Sequence, residues 1–297
     1  MKRIVVVLAL LLAPVAAKAI NCTWNTVPSN INFGTYSAFS TTAVTATSAF
    51  SVNCTPPATA LITITTGGSG TFNSRQMASG ANKMNYNLFM DAANTIIWGD
   101  GTSGTQYVTF IATPGQKDYP ATGLATIYAT IPAGLNVAPG TYTDTVNMIV
   151  NWGSGTLTQP ITITAVVSAE CTVSTVSITF GAYDPVVTNA ATPLDSTGTV
   201  NVFCTTGTLA TVSLDLGSHF TGTTRRMLSG AANFMTYEIY KDAAHSVVWN
   251  STNTNSGTST SKTIPINNGF VAYGRVPAGQ DIPAGAYSDT VLVTVNY

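Results

Sequence analysis

Charged residues are scarce: Asp, Glu, Lys and Arg make up 8% of the 297 residues, against about 25% in ordinary globular proteins. The formal net charge is −1 and no basic cluster occurs. Nothing in the chain would neutralise a phosphate backbone, which excludes nucleic acid as a partner. Histidine is scarcer still, with only His219 and His245. Neither neighbours a candidate triad, and each reads as a surface or turn residue. The sequence has no H-E-x-x-H, G-x-S-x-G, C-x-x-C or Walker pattern. The sequence therefore predicts no enzyme activity, no metal and no cofactor. Beyond residue 19, no apolar run approaches the roughly 20 residues of a membrane helix. No long stretch holds a helical period either, which excludes a helical bundle.

The N-terminus reads as a secretory leader. Lys2 and Arg3 precede an apolar run from Ile4 to Ala17, which Pro14 interrupts, and Ala17-Lys18-Ala19 is an A-x-A cleavage site. The expected mature chain begins at Ile20 and is exported. Cys22 does not sit in a lipobox.

What the chain has in abundance is Thr, Ser, Asn, Gly and Val, and the β-branched members suit strands. It also carries a duplication. "NCTWNTVPSNINFGTY" (21–36) aligns with "ECTVSTVSITFGAY" (170–183), and Cys54 with Cys204. "RQMASGANKMNYNLFMDAANTIIW" (75–98) aligns with "RRMLSGAANFMTYEIYKDAAHSVVW" (225–249). "IPAGLNVAPGTYTDTVNMIVNW" (131–152) aligns with "VPAGQDIPAGAYSDTVLVTVNY" (276–297). One cysteine pair per repeat in an exported chain predicts the disulfides Cys22–Cys54 and Cys171–Cys204. Loops of about 30 residues closed this way contribute roughly 3–4 kcal/mol each.

Within each repeat the apolar period is two. Val146, Met148, Val150 and Trp152 share one face of a strand, as do Val291, Val293, Val295 and Tyr297. Turn signals such as Asp100-Gly101, Pro139-Gly140 and Asn268-Gly269 punctuate the runs. The pattern predicts an all-β chain of two tandem β-sandwiches. Asp91 and Asp242 read as equivalent turn residues, not a carboxylate pair. Tyr142-x-Asp144 and Tyr287-x-Asp289 read as corners opening each last strand. Trp98 and Trp249 read as core packing, and Arg75, Arg225 and Arg226 as loop decoration.

The C…I-x-F-G-x-Y run, the R-x-M-x-S-G run and the closing P-A-G-x-Y-x-D-T-V-x-V-x-V-x-Y together resemble the spore coat protein U domain. Its members include subunits of archaic, Csu-type chaperone–usher pili. The resemblance covers nearly all of the chain after the leader, as two consecutive domains. It implies immunoglobulin-like sandwiches that lack a last strand. A periplasmic chaperone supplies that strand first, and the N-terminal extension of the next pilin subunit then replaces it. A two-domain member resembles a tip adhesin: a non-catalytic, pilus-tip subunit exported through the periplasm and an outer-membrane usher, serving surface attachment and biofilm formation through an unidentified surface or host ligand. The alternative is a structural coat protein without a specific ligand.

One segment has no counterpart in the other repeat. In "TLTQPITITAVVSA" (156–169), Leu157, Ile161, Ile163, Ala165 and Val167 share a face opposite Thr158, Thr162 and Thr164. Its place before a first cysteine is where the resembled pilins carry a donor strand. "GSGT" allows it to fold back after Trp152 and complete the first domain in cis. The expected division is a leader over 1–19, an adhesive domain over 20–169 with its own last strand at about 156–168, and a pilin-like domain over 170–297. Only two residues stand between the expected cleavage point and Cys22, so the chain is expected to accept a strand without offering a free one, which suits the end of a polymer. The second domain is expected to receive its strand along Val291, Val293, Val295 and Tyr297. The span between Trp98 and Tyr142 exceeds that between Trp249 and Tyr287. The surplus falls around "IATPGQKDYPATGL" and nominates Lys117, Tyr119 and Pro120 as an adhesive loop.

Overall fold

The computed structural model describes residues 20–55 and 58–297; the leader expected over residues 1–19 lies outside them. The first domain comprises β1 (Asn21–Thr26), β2 (Ile31–Tyr36), β3 (Val44–Thr55), β4 (Thr59–Ile64), β5 (Arg75–Ser79), β6 (Asn82–Phe89), β7 (Val108–Ile111), β8 (Asp118–Tyr119), β9 (Ala125–Ile131), β10 (Gly140–Asn151) and β11 (Thr156–Val167). The second comprises β12 (Cys171–Val176), β13 (Leu194–Cys204), β14 (Leu209–Leu214), β15 (Arg225–Ser229), β16 (Asn233–Tyr240), β17 (Asn255–Thr258), β18 (Phe270–Val276) and β19 (Val293–Asn296). The protein is all-β, as two tandem sandwiches with separate hydrophobic cores.

In domain 1 one sheet runs β1-β3-β9-β6-β5, with the short β8 beside β3. The facing sheet runs β7-β4-β10-β11-β2, and a pairing of Thr143 with Ala78 joins the two. Domain 2 repeats the first sheet as β12-β13-β18-β16-β15 but reduces the second to β17-β14-β19. The counterparts of β11 and β2 are the strands missing from that second sheet.

Alternation decides which side chains enter the core. Val146, Met148 and Val150 of β10 are each 0% exposed, and so are Ile161, Ile163 and Ala165 of β11. The hairpin between these strands turns at Gly153, whose φ of +83° suits a residue without Cβ. The Trp152 amide donates to the Gly155 carbonyl at 3.1 Å and closes the turn.

The arginines correct the sequence reading. Arg75 and Arg225 do not decorate a loop: they open β5 and β15 and are wholly buried. The Arg75 guanidinium donates to the Thr65 carbonyl at 3.0 Å, Asn87 Oδ1 at 2.7 Å and the Trp98 carbonyl at 2.6 Å. Its planar fork satisfies acceptors that the strand ladders leave over. Burial lowers its pKa to about 10, opposed in part by the electrostatic attraction of Tyr86 and Asp144. Arg225 repeats the arrangement with the carbonyls of Asp215 and Trp249 and with Glu238 in place of Asn87. Arg226 lies over the Phe234 ring, 4.0 Å from its centroid. Trp98 and Trp249 are core residues, and their indole N–H groups donate to the carbonyls of Ile62 and Val212.

A groove in domain 2 and its filled counterpart in domain 1

In domain 1, β11 lies between two neighbours. It pairs antiparallel with β10 along its whole length, from Gly140 opposite Val167 to Asn151 opposite Thr156. On its other side it pairs parallel with β2, with Ile163 opposite Ile31 and Val167 opposite Tyr36. Ile161, Ile163, Ala165 and Val167 enter the core, while Leu157 packs at its margin. Both backbone edges of the strand and its apolar face are thereby occupied.

Domain 2 carries the same walls without the strand. Segment Ile178–Tyr183 repeats the I-x-F-G-x-Y motif of β2 but forms no strand, because no strand among the described residues pairs with it. Of the twelve-residue β10, only the four residues of β19 are matched as a strand. Val291, Val293 and Val295 are half-exposed, although their counterparts Val146, Met148 and Val150 are fully buried. Between these walls runs a groove of about 860 Å³, lined by Ile178, Phe180, Leu214, Met235, Val291 and Val293 among others. A row of apolar side chains beside two unpaired backbone edges is the complement of one alternating strand.

The frame of the groove matches that of domain 1, so the opening is preformed. Tyr36 donates to the Pro132 carbonyl at 2.9 Å and accepts the Leu135 amide at 2.8 Å. Tyr183 does the same with Pro277 at 2.9 Å and Gln280 at 3.0 Å. The corner tyrosines Tyr142 and Tyr287 donate to the carbonyls of Ala138 and Pro283, each at 2.8 Å. Beneath them Tyr237 donates to Asp289 Oδ2 at 2.7 Å, and His219 Nδ1 lies 2.9 Å from Asp289 Oδ1. Burial, then the hydrogen bond and charge of Asp289, raise the Tyr237 pKa, so this phenol stays a donor. The sequence reading missed these floor residues and the facing wall of Ile178 and Phe180. The repetition of I-x-F-G-x-Y and Y-x-D-T-V was the available signal.

Of the expected groove residues, Val291 and Val293 line it and Val295 packs against the adjoining core. Tyr297 does not: it is 60% exposed, because its ladder with β14 stops at Asn296. The expected adhesive loop is partly framework. Lys117 is exposed, but its carbonyl accepts the Cys54 amide at 2.8 Å. Tyr119 sits in β8 opposite Val52, with its ring centroid 5.7 Å from Phe110 and 6.1 Å from Phe50. Tyr119 and Pro120 also line a small cleft of about 260 Å³ with Trp98, Leu124 and Tyr128.

Cys22 is bonded to Cys54 at 2.06 Å and Cys171 to Cys204 at 2.00 Å, each tying the first strand of a domain to its neighbour. Asp91 and Asp242 cap turns, accepting the amides of Ile96 at 2.7 Å and Val247 at 2.8 Å. His245 occupies the second of these turns at φ +55°. Among the described residues, no group of three or more His, Cys, Asp or Glu side chains could hold a metal ion.

Comparison with known proteins agrees with this architecture. The chain is 34% identical over 135 residues to Protein U of Myxococcus xanthus, covering 41% of this chain and 72% of that protein. In three dimensions it is similar to the CsuC–CsuE chaperone–tip adhesion subunit pre-assembly complex from archaic chaperone–usher Csu pili of Acinetobacter baumannii. The TM-score is 0.54 at 20% identity, over 93% of this chain and 100% of that one. The pattern of the Spore Coat Protein U domain matches residues 8–149 and 157–294. Its second match opens inside β11, so the family pattern counts that strand with the module that follows it, although β11 lies in the sheet of the module before. With two such matches across most of its length, the chain belongs to the Spore Coat Protein U domain family.

Proposed function

We propose that this protein is a non-catalytic subunit of a chaperone–usher pilus, that it stands at the tip, and that it attaches cells to surfaces in biofilm formation. The observation that carries the reading is the asymmetry between the domains: β11 fills domain 1 from within the same chain, and domain 2 keeps an open groove. A subunit built this way receives a strand through domain 2 and leaves domain 1 free for contact. Its partners are a periplasmic chaperone that covers the groove, an outer-membrane usher, and the next pilin, whose N-terminal strand replaces the chaperone's. The exposed Tyr107, Ile111 and Leu124 of domain 1, with the cleft beside Tyr119, provide an apolar contact surface for a surface or host ligand.

Two measurements test this. Calorimetry of the protein in an oxidising buffer is expected to give a stable transition for domain 1 and a weak one for domain 2, and a peptide copying residues 156–167 is expected to raise only the second. A single cooperative, high-temperature transition unmoved by the peptide would remove the strand-acceptor reading. Immunogold labelling of cells making the whole pilus is expected to mark fibre ends, and labelling along the shafts would remove the tip position. The description of the matched family, Spore Coat Protein U, favours a second reading, a coat component without a ligand. In that case the label would cover the cell surface with no fibres present.

A further inference from the structure

The junction between the two domains is a worked example of how one module seats on another. Glu170, just after β11, accepts the Ser37 hydroxyl of domain 1 at 2.6 Å. Asn136 Oδ1 of domain 1 accepts the Thr206 hydroxyl at 2.5 Å and the Lys262 amide at 3.2 Å. The Lys262 ammonium reaches the carbonyl of Ala38, a residue 0% exposed. The loops after Tyr36 and after Ile131 thus carry the disulfide end of the following module.

Domain 2 has the corresponding two loops at its far end, but the loop before β13 (184–193) is three residues longer than the one before β3 (37–43), and its Asn189 carbonyl accepts the Gly279 amide of the other loop at 2.8 Å. The alignment places Asp184 where domain 1 has Ser37 and Asp281 where it has Asn136. Beside Asp184, Val186 and Val187 are 81% and 76% exposed. One Asp184 oxygen accepts their amides at 3.0 and 3.1 Å, which fixes the carboxylate on the loop and lowers its pKa. Asp281 retains an acceptor for a hydroxyl and an amide and adds a negative charge.

We propose that this end of domain 2 docks the disulfide end of the next subunit, and that the partner carries a cation immediately after its donor strand, facing Asp184. The inference rests on the groove reading above and specifies its partner. Glu170 in that position would set one carboxylate against another. The junction that suits domain 1 is therefore unsuited to domain 2, and a second copy of this chain's own strand and module is disfavoured as the occupant.

Two peptides spanning residues 155–170, one with Glu170 and one with Glu170→Lys, test the proposal when titrated into the full-length protein at low salt. The lysine peptide is expected to bind about three- to tenfold more tightly, through loss of a like-charge contact and gain of an exposed ion pair. The difference is expected to vanish in Asp184→Asn and at high salt. Equal affinities, or a difference that survives Asp184→Asn, overturn this inference and leave the groove reading intact. Failure of both peptides to bind overturns both. Independently, Ser37→Asp in the full chain sets a carboxylate opposite Glu170. It is expected to lower the domain 1 transition, and Glu170→Lys in the same chain is expected to restore it. Absence of that coupling is also a refutation.

Discussion

The Tyr86 hydroxyl donates to Asp144 Oδ2 at 2.7 Å and so ties β6 of one sheet to β10 of the other. Asp144 Oδ1 also accepts the Gly68 amide at 2.9 Å, which brings the 67–69 turn against the same carboxylate. Domain 2 repeats the cross-tie with Tyr237 and Asp289.

Tyr86→Phe removes the donor and leaves the carboxylate short of a partner. Domain 1 is expected to lose about 1.5–3 kcal/mol, the range for hydrogen bonds to charged groups, read from the first transition in urea. Gly67→Ala is expected to be worse, since φ is +69° and a Cβ would fall 2.2 Å from Asp144 Oδ2. A Tyr86→Phe domain 1 as stable as wild type would show that the cross-tie contributes nothing.

Ile161→Asp and Ile163→Asp place carboxylates at positions that are 0% exposed. Unpaired charge there is costly, so the domain 1 transition should collapse while that of domain 2 stays where it was. A milder probe is Ala165→Leu. Ala165 pairs with Tyr142, and both are fully buried. Overpacking there is expected to cost about 1–3 kcal/mol. Loss of both transitions together would mean that the domains do not fold as separate units.

Asp195 contributes to an acid limb in the stability of domain 2. Arg275 donates to its two oxygens at 2.7 Å each across the β13–β18 ladder. That hydrogen bonding, opposed in part by desolvation, lowers the Asp195 pKa. A carboxylate lowered on folding contributes fully above its unfolded value of about 3.9 and loses that contribution as pH falls through the folded value. The domain 2 midpoint should therefore drop below about pH 4, and Asp195→Asn should make that fall shallower, while Asp184 and Asp242 keep their own contributions. An unchanged limb in the variant would assign the acid sensitivity elsewhere.

The strands legible in the sequence are those whose pattern depends on a single face. β10 and β11 alternate apolar and polar residues, and the Gly-Ser turn between them announces a hairpin. The segment 178–183 marks the limit of such reading. It carries the motif of β2 almost letter for letter, yet only β2 is a strand, because Ile31–Tyr36 has β11 to pair with and Ile178–Tyr183 has no such strand among the described residues. Secondary structure at that edge is a property of the partner. Arg75 and Arg225 misled for another reason: composition places charge at the surface, and their burial follows from carbonyl positions that exist only once the sheets are assembled. Tyr119 likewise took its place in the core edge from β3, which lies far from it in sequence.

The strand that fills domain 1 is also the last part of that sheet to be synthesised. An exported chain folds after it crosses the membrane, and its residues up to Trp152 arrive there before Thr156–Val167. For that interval β10 presents a bare edge, and domain 1 passes through the same open state that domain 2 retains. Folding of the first module thus waits on the arrival of a strand that the family pattern assigns to the second.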